Sequence, residues 1–121
     1  MAKHNIFGNK GEQLAKEFLE NSGYEILDEN WTFGKSELDI IAYKDRQIIF
    51  IEVKSRHGKT FGEPEDFVDN AKQYHMERAA EEYIHLMEHQ GEIRFDIISV
   101  LFSDENKYSI NHIEDAFWPE A

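Results

Sequence analysis

Residues 37–55 read ELDIIAYKDRQIIFIEVKS, two isoleucine-rich runs split by the polar Lys44-Asp45-Arg46. Two apolar runs of strand length with so short a polar break must fold back on each other as an antiparallel hairpin. Apart from its charged residues, the stretch reads as two buried strands. With 121 residues and 40% hydrophobic content, the chain has the material for a single domain over residues 1–121.

The flanking patterns supply the other elements. Leu14, Ala15, Phe18 and Leu19 recur on one side of a helix that starts near Asn9 and is ended by Gly23. YEILDENW, residues 24–31, predicts a first strand ahead of the hairpin. After HGKTFGEP a long helix starts at Glu65 or Asn70 and runs to His89, closed by Gly91. Its apolar stripe is Phe67, Val68, Ala71, Ala79, Ala80, Tyr83, Ile84 and Met87. IRFDIISVLF, residues 93–102, and KYSINHI, residues 107–113, are the last two strands, joined through SDEN. The order helix, three strands, helix, two strands predicts an α/β fold with a mixed five-stranded sheet flanked by helices.

Composition excludes several classes of function. Without cysteine there is neither a disulfide framework nor a thiolate metal site, and a reducing compartment suits the chain. MAKHNIFGNKGEQ lacks the apolar core of a signal peptide, and no apolar run approaches the roughly 20 residues of a membrane span. The expectation is a soluble, cytoplasmic protein. A formal net charge of -12, from 25 acidic and 13 basic residues, opposes tight binding to any polyanion. Locally the balance reverses, because KSRHGKTFG, residues 54–62, carries Lys54, Arg56 and Lys59 and no acid.

The charges inside the hairpin are what its isoleucines do not explain. Alternation puts Ile49, Ile51 and Val53 on one face and Ile48, Phe50, Glu52 and Lys54 on the other. A turn centred on residues 44 and 45 sets Asp39 opposite Phe50 and makes Glu52 its diagonal neighbour, at roughly 7 Å. Two neighbouring buried carboxylates cost several kcal/mol unless positive charge compensates them. Lys54 offers one such charge; a divalent cation held by oxygens of Asp39 and Glu52 compensates better and brings chemistry with it, activating water against a phosphodiester. An exposed Glu-x-Lys pair on a solvated hairpin is the plainer account, but Ile48 and Phe50 share that face.

Asp39 followed after a hairpin by Glu52-Val53-Lys54 resembles the D...ExK motif of the PD-(D/E)xK nuclease superfamily, and Glu12 matches the additional acid of its Holliday-junction-resolvase-like branch. Across nearly the whole chain the sequence is similar to the bacterial YraN-like family. Gly11-Glu12, Gly23-Tyr24, Asn30-Trp31, residues 37–42 and 50–54, Phe61-Gly62, Lys72-Gln73, Ala79-Ala80 with Tyr83, and Arg94-Phe95-Asp96 carry that similarity. The resemblance implies a restriction-endonuclease or resolvase-like fold and a Mg²⁺- or Mn²⁺-dependent nuclease acting on DNA, including branched or damaged DNA. It places metal ligation on Asp39, Glu52 and Glu12, catalysis on Asp39, Glu52 and Lys54, and nucleic-acid contacts on Arg56, Lys59, Lys72 and Gln73. Few basic residues make the expected DNA binding weak and salt-dependent; a homodimer is compatible with this reading, and a membrane partner is not. Two departures stand out: Ser36 replaces the glycine usual before Glu-Ile-Asp, and AKQYHMERAAEEY is less basic than its counterparts.

Alternatives attach to several of these residues. Glu12 equally suits the first turn of a helix, where the dipole favours an acid. The whole chain also suits a non-catalytic member of the same fold that binds nucleic acid or protein. His85-Leu86-Met87-Glu88-His89 has the H-x-x-E-H order of a zinc protease, yet Ile84 and Met87 already mark the buried side, and a solvated helix end accounts for it.

Overall fold

The computed structural model describes residues 6–58, 68–104 and 106–118. In chain order the elements are α1 (Ile6–Asn21), β1 (Glu25–Phe33), β2 (Ser36–Lys44), β3 (Gln47–His57), α2 (Asn70–Met87), β4 (Ile93–Asp104) and β5 (Lys107–Ile113). The expected order holds; β1 to β4 extend one or two residues beyond the expected bounds at one or both ends, β1 starting one residue later, and β5 keeps them.

The sheet order is β1-β2-β3-β4-β5. Short turns make β1/β2, β2/β3 and β4/β5 antiparallel, while the crossover through α2 makes β3/β4 parallel. This is the open mixed sheet predicted from the sequence, and it is consistent with a resolvase-like fold. Each helix covers one face. Ala15 and Leu19 of α1 pack with Ile40, Ile49, Ile51, Ile98 and Val100, while Met76, Ala79, Ala80 and Tyr83 of α2 pack with Ile41, Ile48, Phe50, Phe95 and Ile97. No helix among the described residues is long and apolar enough to cross a membrane.

Local chemistry fixes the ends of both helices. Gly23, at φ +91°, adopts the left-handed conformation that lets Tyr24 N–H reach Leu19 O at 3.0 Å and Gly23 N–H reach Glu20 O at 3.1 Å, a Schellman ending. Helix α2 starts at Asn70 because the Asp69 side chain caps it, accepting Lys72 N–H at 2.8 Å. Its buried stripe is Met76, Ala79, Ala80 and Tyr83. Of the expected stripe, Val68 is buried ahead of the helix and Ile84 packs against the core, whereas Ala71 and Met87 are exposed; Phe67, with the Glu65 start, lies outside the described residues. His85 sits in the last turn and His89 beyond the helix, so the two histidines do not form a helical i,i+4 pair.

The hairpin register differs from the expected one. Asp45 (φ +52°) and Arg46 (φ +68°) both take positive φ in a two-residue turn, and Lys44 pairs with Gln47 inside the ladder. Ile41 therefore lies opposite Phe50 and Ile40 opposite Ile51. The paired ladder ends at Ile40 and Ile51; continued one step, this register sets Asp39 level with Glu52 and not diagonal to it.

Helix α1 approaches β3 closely at Gly11, where an added methyl would overlap Ser55 Oγ and lie 3.1 Å from Ser55 Cβ. Gly11→Ala gains helix propensity of about 1 kcal/mol but forces apart two buried elements, at roughly 1–3 kcal/mol. The expected net result is a lower urea midpoint; a higher one would show that α1 has room to spare over β3.

Candidate metal centre

The site forms where β2 parts from β3. Leu38 belongs to the core under α2 and Ile40 to the core under α1, although residues two apart on a regular strand share a face. The alternation breaks at Asp39. There the Asp39 side chain replaces a backbone partner, with Oδ2 accepting Val53 N–H at 2.8 Å.

Glu52 is buried at 3% exposure in the middle of β3, on the α2 side. Its Oε2 receives two cations: Lys54 Nζ at 3.3 Å and Lys72 Nζ at 3.5 Å. Its Oε1 is buried and has no hydrogen-bond partner. Burial foremost, then the neighbouring Glu52 charge, pushes the Asp39 carboxyl up to about 8, against the Val53 hydrogen bond; Glu12 adds to the rise and Lys72 opposes it. Burial beside a second carboxylate thus favours the protonated form of Asp39, the usual outcome when two carboxylates share one desolvated place.

The sequence-predicted residues are distributed unequally around this centre. Asp39, Glu52 and Lys54 come together as expected. Glu12, half-buried on α1, is close enough to act electrostatically on Asp39. Among the described residues no group of three or more histidines and acids stands as a complete metal-ligand set. Gln73 donates its side-chain N–H to Val68 O at 3.2 Å. It lines a cleft of about 420 Å³ with Val68, Asp69, Asn70, Ile97, Ala116 and Phe117. Ile97 is the β4 residue paired with Glu52, so the cleft opens beside the carboxylates. Arg56 lies exposed near the end of β3, and Lys59 falls outside the described residues.

Lys72 is the residue whose place the sequence did not reveal. Its expected contact is with nucleic acid; in the structure its ammonium lies 3.5 Å from Glu52 Oε2, with 40% of the side chain exposed. A signal did exist. Lys72 occupies the first turn of α2, where the helix dipole disfavours a cation, so a lysine there calls for an anion outside the helix.

The residues also fit a divalent cation. Mg²⁺ is commonly held by one or two carboxylates, with water and substrate phosphates completing the shell. Asp39 and Glu52 supply two carboxylates, one of which presents a buried oxygen that nothing else satisfies.

Fold and site together define an α/β protein with an open mixed sheet and a lysine-bound carboxylate pair at the point where its central hairpin splays. The chain belongs to the family described as uncharacterised protein family UPF0102, which it matches over residues 11–100. That span contains Glu12, Asp39, Glu52, Lys54, Arg56, Lys72 and Gln73. The chain is similar to UPF0102 protein FP2501 of Flavobacterium psychrophilum, with 47% identity covering 98% of both chains. It is 42% identical to a UPF0102 protein of Bacteroides thetaiotaomicron over 98% of both chains. With UPF0102 protein CPE1705 of Clostridium perfringens it shares 44% identity over 97% of this chain and 98% of that one.

Proposed function

We propose that the protein is a metal-dependent nuclease that hydrolyses DNA phosphodiesters, with Mg²⁺ or Mn²⁺ held by Asp39 and Glu52. The observation that carries the reading is the Glu52 carboxylate, which is buried, bound to two lysines through one oxygen and unpartnered at the other. A purely structural carboxylate in a core satisfies both oxygens. The bound cation would supply Lewis-acid polarisation of a phosphoryl oxygen and a lowered pKa for bound water.

The chain's own side chains divide the remaining work. Asp39, ionised, would offer the cation a second anionic oxygen beside that of Glu52. Lys72 holds Glu52 in place from α2. Lys54, with 35% of its side chain exposed, reaches from the buried carboxylate toward solvent. There it orients the attacking water and offsets charge that develops on the phosphate. Glu12 acts as an outer acid toward the cation. The cleft floored by Ile97 and Phe117 receives the part of the DNA next to the scissile phosphate. Arg56 and Lys59 provide phosphate contacts, which position the DNA without reading its sequence. A net charge of -12 keeps that binding weak and strongly salt-dependent.

A second reading draws on the same two lysines. Lys54 and Lys72 already compensate Glu52 without metal, as they would in a non-catalytic member of the fold that binds nucleic acid or protein. Metal binding separates the two. Millimolar Mn²⁺ should raise the melting temperature of the wild type, since a ligand for the folded state stabilises it, and Asp39→Asn should abolish the shift. No shift in the wild type would favour the non-catalytic reading.

The Asp39 proton gives an independent check in metal-free buffer. The ordinary aspartate value is about 3.9, and the folded value is about 8. Between these the folded state holds a proton that the unfolded chain has lost, so stability should fall as pH rises from about 4 to about 8. Asp39→Asn should flatten that limb and raise the urea midpoint at pH 8. An unchanged pH profile would mean that Asp39 is ionised in the folded protein.

A further inference from the structure

Two buried side-chain atoms among the described residues lack a hydrogen-bond partner: Glu52 Oε1 and Ser99 Oγ. They are neighbours. In the parallel pairing of β3 with β4, Glu52 is level with Ile97 and Lys54 with Ser99. Residues level with each other on adjacent strands share a face, and Ile97 lies in the core under α2. Ser99 therefore stands beside Lys54 and one diagonal step from Glu52, on the face that carries the site.

Packing alone does not account for a serine there. Ser99 is 0% exposed and is followed and preceded by Ile97, Ile98, Val100 and Leu101, all buried. A hydroxyl left without a partner in such a strand costs about 1–3 kcal/mol, which alanine would avoid. The fold tolerates this cost at one position, and that position adjoins the one carboxylate oxygen with the same deficit.

We propose that Ser99 is a further positioning residue of the site, whose hydroxyl hydrogen-bonds a water in the hydration shell of the divalent cation held by Glu52. Mg²⁺ and Mn²⁺ are hydrated cations, and Mg²⁺ in particular keeps several waters when bound to protein. A cation-bound water is a strong donor, and Ser99 Oγ is an acceptor fixed by the sheet next to Lys54. Such a hydrogen bond would restrict the orientation of that water. Ser99 touches neither cation nor phosphate and acts through the water. The inference rests on the metal-dependent reading of Asp39 and Glu52.

Ser99→Ala tests it by opposite effects on two quantities. Metal-free, the variant should melt at or above the wild-type temperature, because an unsatisfied hydroxyl has gone. Its Mn²⁺ affinity, measured by titration calorimetry, should nonetheless fall by about 10- to 100-fold, as for other groups that orient a metal's ligands. Wild-type Mn²⁺ affinity in Ser99→Ala would overturn the role of Ser99 and leave the Asp39/Glu52 site intact. Absence of Mn²⁺ binding in the wild type itself would overturn the metal centre, and this inference with it.

Discussion

Lys54→Ala is expected to slow phosphodiester cleavage by roughly 10²–10³-fold, the usual effect of removing one preorganised group that faces developing charge. Metal binding should persist, because the carboxylates remain. Glu52→Ala should abolish both. The stability of these variants follows from the second lysine: with Lys72 still 3.5 Å from Glu52 Oε2, loss of Lys54 leaves the carboxylate compensated. Metal-free Lys54→Ala should therefore lose little stability, whereas Lys54→Ala combined with Lys72→Ala strands a buried charge and should lose about 3–5 kcal/mol. Urea denaturation of the single and double variants measures the difference. Near-additive small losses would show that Glu52 needs neither lysine.

A loss of stability of comparable size is expected near the start of β4. Asp96 is 0% exposed, and its carboxylate accepts Arg94 Nε and Nη2 at 2.8 Å each, His112 Nε2 at 2.8 Å and Asp115 N–H at 2.9 Å. Arg94 in turn donates to the Tyr24 hydroxyl at 2.7 Å. One carboxylate thus ties β4 to β5, to the segment after β5 and, through Arg94, to the residue where α1 hands over to β1. Burial pushes the Asp96 carboxyl up, but the hydrogen bonds from His112, Arg94 and Asp115 outweigh it and hold the group below the usual range. Asp96→Asn keeps the shape and removes the charge, leaving Arg94 with 16% side-chain exposure and no buried counterion. The expected loss is about 3–5 kcal/mol, a large part of the 5–15 kcal/mol typical of a whole domain. Because the folded pKa is depressed, the wild-type contribution is present above about pH 4 and lost as pH falls through the folded value. Asp96→Asn should lack that acid limb. A variant that melts within a degree of the wild type would show that the network is dispensable.

These two expectations differ in how far the sequence reveals them. Asp39, Glu52 and Lys54 lie within one hairpin, and alternation along a strand is enough to bring them onto one face. Their register was not legible, since Lys44 looks like a turn residue and is in fact the last residue of a strand, an ambiguity that only the φ values of Asp45 and Arg46 resolve. The mixed character of the sheet was legible from the Ile-rich hairpin and the order of the helices and strands, whereas the strand order β1-β2-β3-β4-β5 was not. The Asp96 network was invisible because its members come from Tyr24, Arg94, His112 and Asp115, which only the parallel and antiparallel pairings of β4 bring together. The Lys72–Glu52 ion pair was not legible for a similar reason: periodicity shows which side of α2 is apolar, not which strand its first turn meets.

Proposed hydrolysis of DNA at the Asp39/Glu52 pair can be measured by incubating linear, flapped and four-way-junction DNA with the pure protein, Mn²⁺ and low salt, beside Asp39→Asn and Lys54→Ala. The wild type should cleave at least one substrate, with no detectable cleavage by Asp39→Asn and only a trace by Lys54→Ala. A wild type that binds Mn²⁺ and cuts none of them, or cleavage that survives both substitutions unchanged, would contradict the proposal.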